Sequence, residues 1–419
     1  MTWLSRCPHT DGASLSSRLR EALRDAQLIG ASQGGAYPEC GLIAISAVDL
    51  PADAELFVGQ IPIGVFVPDI SITTFFPSGP IGTSEQLDER NATYWRASLY
   101  EVADAIRTGT ITPDVSVIKV TTPRDGHRSM AFHADYSIAL FHASRGVVLE
   151  ECLNAPWLGP HIPAEAPHIL DVVQGCERPV EHTESPAPEP ARMEIGRSVA
   201  GLIPQGATIQ LGLGRWTNAV AAEVSKRQDV RFHTGFVGPW LVDLVDGRPG
   251  HRVDITTASI ADDEGVVGLA ARLHELGLRV EPATVTHHPD TLRALQPFVA
   301  INTAWEVDLE GQANTEYLAV GPKTRRSGVA GLWDFAPAAA SQQDGLSIVA
   351  LPARAGDRSR IVPSLPAPHI SLASDSIDVV VTEHGVADLR GLSPAERQRA
   401  IIDVASPFDR PGLLEAVGG

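Results

Sequence analysis

Apolar runs of four to six residues alternate with amphipathic stretches along most of this chain, and that alternation predicts its elements. Leu15 to Ile29 has helical spacing and stops at Gly30. Leu42 to Ala47 reads as a strand, Leu99 to Ile106 as a helix closing near Gly109, and Val115 to Val120 as a strand. Asp135 to Ser144 reads as a helix stopped by Gly146, with Val147 to Leu149 as the next strand. Further on, helices are expected at about Met193–Ile203 and Ala219–Lys226, and from Ser393-Pro394 to about Val404, where Pro takes a favourable first-turn position. Strands are expected at Thr208–Leu211, Val230–Thr234, Val253–Ala258, Phe298–Ala304, Ser347–Leu351 and Asp378–Thr382. Strands alternating with helices mean mostly parallel sheets covered by helices, an α/β protein.

The length, 419 residues, exceeds one ordinary core and implies two domains. The polar, Pro-rich run Glu181 to Pro190 reads as a linker. The division expected is therefore residues 1–182, a linker at 183–192, and residues 193–419. No short-period repeat is visible.

A net charge of −18 argues against a nucleic-acid partner, since phosphate backbones want a basic surface. It leaves room for a small basic pocket for the phosphates of a nucleotide-like ligand. Cys7, Cys40, Cys152 and Cys176 are widely spaced with no C-x-x-C pair, which suggests neither zinc nor a disulfide framework. The first residues lack the apolar stretch of a signal peptide, and no run approaches the ~20 apolar residues of a membrane span. A reducing cytoplasm is the expected compartment.

The most informative segment follows the Phe298 strand: Asn302-Thr303-Ala304-Trp305-Glu306-Val307-Asp308-Leu309-Glu310-Gly311-Gln312-Ala313-Asn314. It places a carboxylate, Glu306, where the strand gives way to Gly and Asn. A carboxylate there can be a solvated edge residue or a covalent nucleophile. Downstream, Ser327-Gly328-Val329-Ala330-Gly331-Leu332-Trp333-Asp334-Phe335 contains a loop with little side-chain bulk. Gly328, Val329, Ala330 and Gly331 can form a plain tight turn, or can aim backbone N–H groups at a developing oxyanion, where one donor is worth ~3 kcal/mol.

These two segments resemble the acetyl-CoA hydrolase/transferase family of family I CoA-transferases, similar to the 4-hydroxybutyrate and butyrate:acetate CoA-transferases. The family patterns are approximately N-S-A-x-E-V-D-L-x-G-Q-x-N and S-G-V-G-G-x-x-D-F. The likeness continues in Ser359–Pro363 and Val381–Gly391. It is looser in Asp114–Ile118, the Pro123–Gly126 turn and Glu150–Pro156. It implies two tandem open α/β domains of CoA-transferase type, the second carrying the nucleophile Glu306. The implied activity is transfer of CoA between an acyl-CoA and a carboxylic acid through a glutamyl anhydride and a glutamyl-CoA thioester. Coenzyme A would be a cosubstrate, with no cofactor held permanently. The implied assembly is a homodimer or larger, with no nucleic-acid or membrane partner.

Departures from the pattern leave other readings open: a thioester hydrolase on the same scaffold, a non-catalytic acyl-CoA-binding relative, and transfer to a non-carboxylate acceptor. For the last, the sequence offers no His-x-x-x-Asp base motif. Ala330 stands where Gly is usual. If that position needs φ > 0, Ala is strained there by ~1 kcal/mol or more. Gln210-Leu211-Gly212-Leu213-Gly214-Arg215-Trp216 follows a strand and opens a helix, but Thr217 leaves G-x-G-x-x-G incomplete and excludes a dinucleotide site. The resemblance places Gln210, Gly212, Gly214, Arg215 and Trp216 around the CoA substrate. Arg215 and Trp216 replace small residues, and Arg215 reads equally as a surface residue or as an anion partner. Gly235, in His233-Thr234-Gly235, lacks the carboxylate of a His-x-Glu that many relatives carry. Asn314, His384 and Gly385 are weaker substrate-binding candidates. Trp216, Trp305 and Trp333 near the motifs point to a non-standard acyl group. His287-His288, His133 and His142 lack a matching carboxylate or Cys partner for a metal.

Overall fold

The computed structural model describes residues 15–130, 132–153, 155–175, 190–212, 216–247, 253–269 and 272–418, the side chains of 216 and 367 aside. Two open sheets flanked by helices carry the chain. In the first, the spatial order is Ala92–Tyr94, Ser71–Thr74, Glu55–Val58, Leu28–Ala31, Val115–Thr121, Gly146–Cys152, Ile169–Gln174, and every neighbouring pair is parallel. The second repeats that winding: Leu278–Val280, Ile255–Ile260, Arg231–Val237, Thr208–Leu211, Phe298–Thr303, Leu346–Ala350, Val379–Thr382. An antiparallel strand, Gly385–Asp388, is added at its edge. In each domain the earliest strand sits in the middle, and the chain winds first to one side and then to the other. The reversal leaves a crevice beyond the strands' carboxyl ends, the usual ligand position in such sheets. The fold is thus the expected pair of α/β domains, and its duplication is plain in strand order although no repeat is visible in sequence.

Local chemistry explains most elements. Helix Leu99–Arg107 opens on a capping box, Ser98 with Glu101, and buries Leu99, Val102, Ala103 and Ile106. Helix Pro394–Val404 opens on a second, Ser393 with Glu396, with Pro in its first turn. Several expectations need correction. Residues 42–47 are not a strand but most of helix Glu39–Ser46, buried on nearly every side, so no periodicity betrayed it. The expected helix from Leu15 divides into helix Ser17–Arg24 and strand Leu28–Ala31. Of the expected linker, residues 183–189 lie outside the described residues, and 190–192 open helix Pro190–Leu202. Cys40 is disulfide-bonded, against the reading from spacing. Cys152 forms no disulfide, so the partner falls outside the described residues. Among the described residues, no helix is long and apolar enough to cross a membrane.

One apolar cluster runs through both domains, from Phe57, Ile118 and Tyr136 to Ile209, Phe232 and Ile301. A polar clasp joins them as well. Arg96 donates from Nε and Nη2 to both oxygens of the fully buried Glu316 carboxylate, and the Tyr94 hydroxyl donates to Glu316 Oε1 at 2.7 Å. The main chain also pairs across the domains. Ala134 N–H donates to Ala258 O (3.0 Å), and Ile260 N–H donates to Phe132 O (2.8 Å).

Candidate active site

A cavity of about 250 Å³ lies where the carboxyl ends of the two sheets face each other. Gln33, Gln60, Phe75 and Phe76 line it from just beyond strands of the first sheet. Gln210, Gly212, Gly235, Ser259, Asn302 and Trp305 line it from the second, and the loop Gly328 to Gly331 closes one wall. Among the described lining residues there is no Asp, Glu, Lys or Arg.

The Gly328-Val329-Ala330-Gly331 loop is brought together whole at the cavity. Gly328 is sterically required, because a Cβ there would lie 2.4 Å from Phe75 O. Ala330 has φ +45°, the left-handed conformation that its methyl group disfavours. The first domain holds the loop: Leu99 N–H donates to Ala330 O (3.1 Å), and Ser98 Oγ donates to Asp334 Oδ1 (2.7 Å). Burial pushes the Asp334 carboxyl up to about 8, opposed by the hydrogen bonds from Ser98 and Tyr100. Ala330 is bridged to Ser98 in parallel register, which engages its main chain with the first domain, whereas the N–H groups of Gly328, Val329 and Gly331 have no backbone acceptor among the described residues.

Glu306 lies on strand Glu306–Asp308 of a small three-stranded sheet beside the cavity, opposite Asn314. Its carboxylate accepts a hydrogen bond from Asn314 Nδ2 at 2.8 Å. Arg360 adds positive charge nearby and donates from Nη1 to Trp305 O at 3.1 Å. Trp305, not Glu306, lines the cavity. Asn314 is fully buried; its Oδ1 accepts from Glu316 and Tyr317 N–H, so it shapes the turn under Glu306.

Gln210 and Gly212 line the cavity, whereas Gly214 and Arg215, and the side chain of Trp216, lie outside the described residues. His384 and Gly385 form the hairpin at the outer edge of the second sheet, with His384 Nε2 3.8 Å from Glu383, and neither is among the residues lining the cavity. His233 is buried and donates from Nε2 to Thr286 O at 2.6 Å, a structural role.

Three buried polar groups of the cavity keep unpartnered atoms. Gln210 Nε2 reaches Asn302 Oδ1 at only 3.4 Å, leaving Gln210 Oε1 and Asn302 Nδ2 free. His287 Nε2 is also free, while its Nδ1 meets the Thr286 hydroxyl at 2.7 Å. Burial holds the His287 imidazole neutral, its pKa lowered to about 3. Orphaned buried polar atoms around a cavity are what a bound ligand would satisfy. His133 also lines the cavity and, contrary to the expectation from sequence, has a carboxylate partner: Nδ1 lies 3.1 Å from Asp135 Oδ2. No cluster of three metal-ligating side chains occurs among the described residues.

Residues 273–417 match the acetyl-CoA hydrolase/transferase C-terminal domain. Over 348 residues the chain is 28% identical to 4-hydroxybutyrate coenzyme A transferase of Clostridium kluyveri, covering 79% of each chain. Its fold is similar to that of RipA from Yersinia pestis (TM-score 0.78, 20% identity, 96% of each chain covered). It is also similar to that of a 4-hydroxybutyrate CoA-transferase from Porphyromonas gingivalis (TM-score 0.74, 23% identity, 99% of this chain and 98% of the other).

Sequence reasoning missed Gln33, Gln60, Phe75, His133, Ser259 and His287 as residues of the cavity. The usable signal was positional, since most of these sit at or just past the carboxyl end of a parallel strand. Three of the strands that reveal it, Glu55–Val58, Ser71–Thr74 and Ala92–Tyr94, are three or four residues long and went unpredicted.

Proposed function

We propose that this protein acts on an acyl-CoA thioester in the cavity between its two sheets, transferring CoA between an acyl-CoA and a carboxylic acid. The observation that carries this reading is the Gly328–Gly331 loop. It is a turn of low bulk in which the N–H groups of Gly328, Val329 and Gly331 have no backbone acceptor among the described residues, made by one domain and held by the other, at the carboxyl ends of two parallel sheets. Such donors stabilise a thioester's tetrahedral oxyanion. The similarity to the Clostridium CoA transferase supports the same class of chemistry.

In the leading form of the reading, Glu306 is the nucleophile. It attacks the thioester carbonyl, giving an acyl–glutamyl anhydride and CoA thiolate. The thiolate then attacks the glutamyl carbonyl, releasing the acyl group as a carboxylate and leaving a glutamyl-CoA thioester. An acceptor carboxylate reverses the steps, and no ATP is needed. Glu306 is not among the residues lining the cavity, so this path requires its carboxylate and the thioester to meet at the cavity's Trp305 side.

One observation favours a second reading. The described lining of the cavity holds no carboxylate, and Gly235, which faces it, lacks the carboxylate of a His-x-Glu. An acyl-CoA seated there would meet a nucleophile that does not belong to the protein, as in a hydrolase, or would be bound without turnover.

The test is intact-protein mass spectrometry after incubation with a panel of acyl-CoAs and trapping by hydroxylamine or borohydride, run beside Glu306→Gln. An adduct mapped to Glu306, absent from the variant, supports the covalent cycle. Free CoA without any adduct, equal in both proteins, supports the second reading. Neither binding nor turnover sinks both.

A further inference from the structure

We infer that His133, oriented by Asp135, is a general base of this cavity, and that the nucleophile it activates is a hydroxyl group, of water or of an alcohol. The inference deepens the second reading of the proposed function and rests on it, because an acyl-CoA must occupy the cavity and meet a nucleophile that does not belong to the protein.

Asp135 is fully buried in the turn before helix Ser137–Ala143. Its Oδ1 accepts from Ser137 N–H (3.1 Å) and Ser137 Oγ (3.0 Å), and its Oδ2 accepts from Gln33 Nε2 (2.7 Å). Burial works to raise this carboxyl, but the hydrogen bonds from His133, Gln33 and Ser137 outweigh it and hold the group below its usual range. An ionised Oδ2 can only accept, so His133 Nδ1 carries the proton and Nε2 presents its lone pair. No described residue partners Nε2. The Cε1–Nε2 edge packs close to Gly34, where a Cβ would come within 2.9 Å of Cε1 and 3.1 Å of Nε2, so only glycine leaves room beside the ring there. The imidazole lines the same cavity as the loop of residues 328–331. Its ring position is fixed by main-chain pairing with the second domain, through the bridge between His133 and Ser259 and the bond from Ala134 N–H to Ala258 O.

Other groups around His133 do not replace it. His287 is buried and neutral, and Phe236 lies 6.4 Å away, ring to ring. Asp262 packs beside Gly35 of the adjoining turn and is not among the residues lining the cavity. A carboxylate nucleophile needs no base at neutral pH, whereas a hydroxyl does. An oriented imidazole in a cavity whose described walls hold no carboxylate therefore fits a hydroxylic nucleophile. In the step, the hydroxyl oxygen bonds to the thioester carbonyl carbon as its proton passes to His133 Nε2. The oxyanion rests on the loop amides. The C–S bond then breaks, and the leaving thiolate takes the proton back from the imidazolium. Water gives a carboxylic acid and an alcohol gives an ester, each with one CoA thiol, and no further reactant is consumed.

The test compares full-length wild type, His133→Gln and Asp135→Asn. CoA release is followed by a thiol reagent, with acyl-CoA alone and with a panel of alcohols, and affinity is measured with a non-hydrolysable acyl-CoA thioether. His133→Gln is expected to lower CoA release by about 100-fold or more while leaving thioether affinity nearly unchanged. Asp135→Asn should also lower release while leaving thioether affinity nearly unchanged, because the imidazole loses the carboxylate that orients it. Free acid as the product identifies water as the acceptor, and an acylated alcohol identifies an alcohol; either supports the inference. Unchanged release in a His133→Gln protein that still binds the thioether overturns it alone. Failure of the wild type to bind the thioether overturns the proposed function with it.

Discussion

At the switch point of the first sheet, a buried hydroxyl closes a circuit: Tyr136 donates to Ala31 O at 2.7 Å and accepts from Gly59 N–H at 3.0 Å. At the same point of the second sheet, Gln210 and Asn302 face each other across 3.4 Å, and each keeps an unpartnered atom toward the cavity. The winding is the same, but the crevice is finished in opposite ways. At its switch point the first domain satisfies the polar groups around Tyr136, with the buried Ser32 hydroxyl as the exception, and becomes a fixed wall. The second leaves polar atoms unmet, which is the usual condition of a surface built for a ligand. Duplicated architecture therefore does not mean duplicated duty.

The contrast is sharpest in stability. Tyr136→Phe strands a buried carbonyl and a buried amide and is expected to cost about 2 kcal/mol, read from urea unfolding. Gln210→Met removes only a long bond and an unpartnered carbonyl oxygen, and is expected to cost less than about 1 kcal/mol. Equal losses would break the comparison.

A second test addresses the seam between the domains. The Asp334 carboxyl sits at about 8 in the folded protein against 3.8 for an ordinary Asp, so the native state binds the extra proton between those values. Its contribution to stability is present below pH 4 and is lost as pH rises through 8. Thermal melts should fall across that window for wild type, and the fall should be smaller in Asp334→Asn. Identical slopes would show that this group does not govern the seam.

The smallest effect is expected at Ala330. Glycine relieves its φ of +45° but frees the unfolded chain, so Ala330→Gly should stabilise by only about 0.5 kcal/mol. Destabilisation would mean that the methyl group packs usefully against the cavity wall.

Much of the fold was legible where local signals agreed. The helical spacing of Leu99 to Ile106 and the Ser393-Pro394 start placed two helices within a residue or two, and Thr208–Leu211 was read to its ends. Helix Glu39–Ser46 was not, because ECGLIAIS is apolar on nearly every face and a short buried helix then looks like a buried strand. Of the site, the Gly328–Gly331 loop showed itself by its lack of bulk. His133 and Asp135 did not, because two-residue spacing in a turn carries no periodicity, and the pairing that aims the ring comes from residues 258–260.

That cross-domain pairing has a consequence for assembly. Phe132 and Ala134 hydrogen-bond through their main chains to a strand more than 120 positions later in sequence. The loop at Ala330 is tied in turn to Leu99, more than 200 positions earlier. Neither half of the cavity can therefore be completed by its own domain. Contacts so distant in sequence form late and open early. Under mild denaturant the amides of Ala134 and Leu99 should exchange with solvent together, before the central strands of either sheet, and turnover should disappear with them.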